Sequence, residues 1–147
     1  MEIISKSVED TRSAGALFAA QTGPGCVYSL IGEMGCGKTE FVRGFVSGLC
    51  GKAAIRSPTF SIVNTYEAPE FNIYHFDFYR LKNSAELFET GYYEYINDAG
   101  VCLIEWADMF FEVVPKNAIT IKFEDKGNGE RLIKYNSATV TYPALLG

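Results

Sequence analysis

Residues 32 to 39 read Gly32-Glu33-Met34-Gly35-Cys36-Gly37-Lys38-Thr39, a complete match to the phosphate-binding loop pattern G-x-x-x-x-G-K-[ST]. Each fixed position has its own physical task. Gly32, Gly35 and Gly37 lack Cβ atoms, so the backbone can take positive φ and come close to an anion. The loop amides then point inward as a nest for phosphate oxygens. Lys38 is expected to reach the β- and γ-phosphates and the Thr39 hydroxyl to ligate Mg²⁺. A helix beginning near Gly37 adds its N-terminal partial positive charge.

A glycine-rich turn is common, so the flanks decide. Before the loop, Cys26-Val27-Tyr28-Ser29-Leu30-Ile31 is a mostly apolar run suited to a buried parallel strand. After it, Phe41, Val42, Phe45, Val46 and Leu49 repeat on one face of a helix expected to stop near Gly51. Strand, loop and helix in that order are the context in which the pattern signifies a nucleotide site.

Working outward, Ser7 reads as the N-cap of a helix running to about Gln21, with Ala14, Leu17, Phe18 and Gln21 on its inner side. Phe60 to Tyr66 and Phe71 to Tyr79 read as two strands of a hairpin around Ala68-Pro69-Glu70. Asn83 to Glu89 and Tyr92 to Ile96 read as short helices. Val101-Cys102-Leu103-Ile104 is a central parallel strand. Ala118 to Phe123 and Arg131 to Tyr135 flank Lys126-Gly127-Asn128-Gly129, a good hairpin turn. The expected architecture is an α/β fold like that of P-loop NTPases. It has a mixed sheet flanked by helices, a C-terminal β-hairpin, and one domain over residues 1–147.

The chain has 147 residues, with 13 Lys+Arg against 18 Asp+Glu and a formal charge of −5. A free-standing nucleic-acid binder usually presents a basic surface. Contact with RNA or DNA is therefore expected only through a partner. Met1 to Lys6 has no apolar signal-like region, and no stretch is long and apolar enough to span a membrane. A cytoplasmic protein is expected. Cys26, Cys36, Cys50 and Cys102 form no C-x-x-C pair and read as reduced.

A P-loop needs an acidic partner for the metal, usually at the carboxyl end of a neighbouring strand. Glu105 directly follows the apolar run 101–104, and Asp77 lies late in the aromatic strand. Both are candidate catalytic residues beside Lys38. Ser57-Pro58-Thr59 lies between the loop helix and the next strand, where a γ-phosphate switch often sits. The same segment reads equally as a plain turn entering a strand. His75, the only histidine, reads as a packed, hydrogen-bonded residue. Arg80 reads as an ion-pair former. Trp106 reads as core, interface or ligand-stacking.

Taken together, Gly32 to Thr39, Ser57-Pro58-Thr59-Phe60, His75-Phe76-Asp77-Phe78-Tyr79-Arg80-Leu81 and Ile104-Glu105-Trp106 resemble the bacterial TsaE (YjeE) family in order and spacing over nearly the whole chain. The resemblance implies a small cytoplasmic ATPase of tRNA threonylcarbamoyladenosine biosynthesis. It would use ATP and Mg²⁺ and work with TsaB and TsaD, which transfer the threonylcarbamoyl group onto a tRNA adenosine. Carried over, the resemblance assigns Gly35, Cys36, Gly37, Lys38, Thr39 and Glu40 to the nucleotide. It assigns Thr39 and Glu105 to Mg²⁺, Asp77 to an outer-sphere or water-orienting role, and Ser57, Pro58 and Thr59 to a switch. Thr11 falls near the base, and Gly129 to Arg131 match a further contact loosely.

Two residues depart from the family pattern. Glu40 stands where a second Thr is frequent and adds a negative charge beside the phosphates. Ala107 stands where Pro is frequent. No arginine stands out as a finger in cis, and a missing finger costs about 10³ to 10⁵ in turnover, so weak activity alone and stimulation by partners are expected. A small-molecule or nucleotide kinase and a non-hydrolysing ATP-binding module remain the alternatives.

Overall fold

A computed structural model describes residues 1–51 and 62–136. In chain order the elements are β1 (Glu2–Ser5), α1 (Val8–Gln21), β2 (Val27–Ile31), α2 (Lys38–Cys50), β3 (Val63–Glu67), β4 (Asn72–Asp77), α3 (Ser84–Glu89), α4 (Tyr92–Ile96), β5 (Val101–Glu105), β6 (Ile119–Gly127) and β7 (Glu130–Tyr135). A single 3₁₀ turn follows β4 at Phe78–Arg80, and a seven-residue 3₁₀ segment kinked at Phe110 follows β5 at Ala107–Val113.

Among the described residues seven strands form one sheet in the order β1-β7-β6-β2-β5-β4-β3. The centre is parallel: β2 pairs with β5 and β6, and β4 pairs with β5. Both edges are antiparallel hairpins, β3–β4 on one side and β6–β7 with β1 on the other. The sheet is mixed and flanked by helices, as the sequence reading expects.

The parity of β5 explains its unbroken apolar run. Val101 and Leu103 pack with α1 and α2 around Phe18, Phe41 and Phe45. Cys102 and Ile104 pack on the opposite face around Phe76, Phe78 and Tyr92. A strand covered on both faces has no use for polar alternation. The same parity puts Glu105 on the α2 side of the sheet. On β4, His75 and Asp77 share the parity of Ile73, which packs on that side.

Several expectations are corrected. Glu2–Ser5, to which the sequence reading assigns no element, is an edge strand paired with β7; two isoleucines in four residues are too short a run to mark it. Leu17 is not on the inner side of α1: it is 46% exposed. The buried stripe is Thr11, Ala14, Gly15, Phe18 and Ala19, because close approach to α2 favours small residues. β4 ends at Asp77 rather than Tyr79. There the Asp77 side chain accepts from the Tyr79 amide at 3.1 Å and turns the chain into a 3₁₀ segment. The hairpin's first strand begins at Val63, and Phe60 lies outside the described residues. Ser7 caps α1 by accepting from the Asp10 amide. Asn83 caps α3 in the same way through the Glu86 amide.

Candidate functional site

β2 delivers the chain to the carboxyl edge of the parallel strands, and the loop turns there into α2. Gly35 and Gly37 take φ of 79° and 106°. A side chain at either position would be strained. Gly37 is the N-cap of α2 and offers no side-chain cap, so the helix's first amides stay available to an anion. Cys36 instead turns its side chain into the core at 2% exposure. Burial pushes its thiol above the ordinary range, partly opposed by the charge of Lys38.

Lys38 is only 4% exposed. Its ammonium donates to the Gly32 carbonyl and lies over the Trp106 ring, 3.4 Å from the centroid, a cation–π contact. Burial lowers its pKa, and Cys36, Glu105, Asp108 and Asp77 partly offset the shift. Trp106 takes a left-handed conformation at φ 60°, and its backbone N–H donates a hydrogen bond to the Leu30 carbonyl of β2 at 3.1 Å.

Glu105 is the hinge of the site. In register it faces Leu30 of β2 and Asp77 of β4, so it stands between the loop strand and the aromatic strand. It is 5% exposed. Both of its oxygens are engaged. Thr39 Oγ1 donates to Oε1 at 3.0 Å, and His75 Nε2 donates to Oε2 at 2.6 Å. A buried carboxylate needs such partners. His75 is thus the packed, hydrogen-bonded residue expected, and its partner is the principal acid of the site.

Asp77 stands one strand further out. Its carboxylate is taken up by the Tyr79 amide and by Arg80 Nε at 3.4 Å. Arg80 is the ion-pair former that the sequence suggests. The structure therefore brings Lys38, Thr39 and Glu105 together and leaves Asp77 beside them. Ser57, Pro58 and Thr59 lie outside the described residues.

A cavity of about 450 Å³ opens over the loop. Gly35, Lys38, Thr39 and Glu105 line it together with Lys6, Val8, Thr11 and Arg131. Thr11 packs against the loop, its Oγ1 2.7 Å from Ser5 Oγ. Arg131 donates to the Gly35 carbonyl at 3.2 Å. The sequence reading did not include Lys6 and Val8, and matched Arg131 loosely. The β1–β7 pairing unites them, with Ser5 opposite Arg131, and a four-residue edge strand leaves little sequence signal. Glu40 lies at the cavity margin, bound to Arg12 Nε at 2.6 Å and 3.7 Å from Arg43 Nε.

Among the described residues no group of three or more His, Cys, Asp or Glu side chains could hold a metal by itself. The donors at the loop are instead one hydroxyl and one carboxylate. Hard oxygen donors in that number suit Mg²⁺, which keeps waters and phosphates as its other ligands.

The model of the threonylcarbamoyl adenosine biosynthesis protein TsaE matches residues 5–133. The chain belongs to the TsaE family. Among similar proteins, the TsaE of Bacillus subtilis is 36% identical over 93% of this chain and 85% of its own length. The TsaE of Rickettsia prowazekii is 36% identical over 86% of this chain and 88% of its own. The crystal structure of YdiB from Bacillus subtilis superposes with a TM-score of 0.78 at 32% identity, over 99% of this chain and 90% of that one. The TsaE match spans every described element from Ser5 through β6 and most of β7. The loop, the Glu105 strand and the Arg131 hairpin all lie within it.

Proposed function

We propose that this chain binds ATP with Mg²⁺ and hydrolyses it in support of threonylcarbamoyl transfer onto tRNA adenosine, with TsaB and TsaD as its partners. The observation that carries the reading is the Thr39–Glu105 contact at the mouth of the phosphate loop. A hydroxyl from the loop helix meets a carboxylate from the neighbouring strand where a cation shared with the phosphates belongs. Family membership supports the pathway, and the cavity over the phosphate loop supports a bound nucleotide.

In this mechanism the loop amides from Gly35 to Thr39 hold the β-phosphate. Lys38 leaves the Gly32 carbonyl and the Trp106 face for the γ-phosphate. It is already aligned at the loop, so little reorganisation is needed. Thr39 and Glu105 would hold Mg²⁺, which neutralises charge on the β- and γ-phosphate oxygens when bound. His75 keeps the Glu105 carboxylate oriented. Asp77 acts one layer out, through water. With no arginine standing out as a finger among the described residues, turnover depends on partners. The −5 charge suits a subunit that leaves the tRNA to them.

Calorimetry with ATP and Mg²⁺ tests the reading. The wild-type chain binds, Lys38→Ala loses binding while remaining folded, and Glu105→Ala keeps nucleotide affinity but loses its Mg²⁺ dependence. A Mg²⁺ titration identical in wild type and Glu105→Ala would remove Glu105 from the metal role.

A further inference from the structure

Glu40 is the loop's departure from the family pattern, and the chemistry above gives it no task. It follows Thr39 directly, sits in the first turn of α2 and borders the cavity. An unpaired carboxylate there would oppose a polyanion in the loop. It is not unpaired. Arg12 of α1 donates from Nε at 2.6 Å, and Arg43 lies at 3.7 Å, one turn along α2.

The partner's position is set by backbone packing. A Cβ at Gly44 would fall on the Arg12 carbonyl oxygen, and one at Gly15 on the carbonyl of Phe41. The two helices thus touch backbone to backbone. The Cα of Arg12 is fixed relative to the first turn of α2, and its neighbour Thr11 packs against the loop. As a contribution to stability such a pair is small, since Arg12 and Glu40 side chains are 47% and 29% exposed and water screens them. Its effect is on the charge felt in the cavity.

We infer that Arg12 is an affinity determinant of the nucleotide site, acting through Glu40: it neutralises the carboxylate that this chain carries beside the phosphate loop. Arg12 is a positioning residue and touches no phosphate. The inference rests on the cavity being a polyphosphate site.

The test is calorimetric titration of MgATP into wild type, Arg12→Gln, Glu40→Gln and the double variant, with Lys38→Ala alongside. At about 0.1 M salt, Arg12→Gln weakens binding about tenfold and Glu40→Gln strengthens it. The double variant, with the local net charge restored, returns to near the wild-type affinity. At about 1 M salt, where the screening length falls from ~10 Å to ~3 Å, the differences shrink. A purely structural role for Arg12 would leave the double variant as weak as Arg12→Gln at both salt concentrations, and that result overturns the inference. So does unchanged affinity in either single variant while Lys38→Ala has lost binding. A wild-type chain that binds no MgATP removes the polyphosphate site itself, and this inference with it.

Discussion

At the scale of single residues, Glu105 links the site to the core. Its two oxygens hold one group from the loop and one from the aromatic strand, Thr39 and His75. Truncating His75 leaves a buried carboxylate oxygen without its partner. His75→Ala is expected to cost ~1–3 kcal/mol of unfolding free energy in a urea titration. Loss of that orienting partner is also expected to lower Mg²⁺-dependent turnover by about 10- to 100-fold. Unaltered stability and turnover would mean that Glu105 is held by other groups. Lys38, Thr39 and Glu105 were legible in the sequence because the motif fixes the first two and the third follows an apolar strand at its carboxyl end. Arg12 as the partner of Glu40 was not legible. It is 28 residues away, and only the packing of two helices brings them together. Asp77 was legible as a candidate, but its capping of the following turn and its pairing with Arg80 were not. Both arise from where β4 ends.

At the scale of elements, the α1–α2 contact decides how firmly the loop helix is held. Gly15 and Gly44 allow it, and Phe18, Phe41 and Phe45 fill the space beneath. Phe18 and Phe41 meet edge to face with ring centroids 5.5 Å apart, a favoured aromatic geometry. Gly44→Ala forces a methyl group onto the Arg12 carbonyl. The helices must part, with an expected loss of ~1–3 kcal/mol visible as a fall of several degrees in the thermal midpoint. An unchanged midpoint would show that the seam yields without cost. Helix α2 was readable from its apolar period, because its face is regular and covered. The buried stripe of α1 was misplaced by Leu17, since the helix faces its neighbour with small residues rather than large ones. The edge strand β1 was missed: four residues, two of them exposed, take strand form by pairing with β7. That pairing also brings Lys6 and Arg131 together at the cavity.

At the scale of the whole molecule, the mixed sheet places every proposed nucleotide contact among the described residues along the carboxyl edge of its parallel strands. Ligands bind there in open α/β sheets. The hairpins at the two sides extend the same sheet. No helix among the described residues is long and apolar enough to cross a membrane. This chain of the TsaE family carries the loop, the acidic strand and Trp106 within the matched residues, and pairs Glu40 with Arg12. The proposed ATPase has a turnover that waits on partners. Steady-state phosphate release from MgATP, measured for the purified chain with and without TsaB–TsaD and with Lys38→Ala as control, is the decisive assay. Release is expected to be slow for the chain alone, to rise markedly with both partners, and to be absent from Lys38→Ala in either condition. Equal rates with and without the partners, or retained activity in Lys38→Ala, would contradict the proposal.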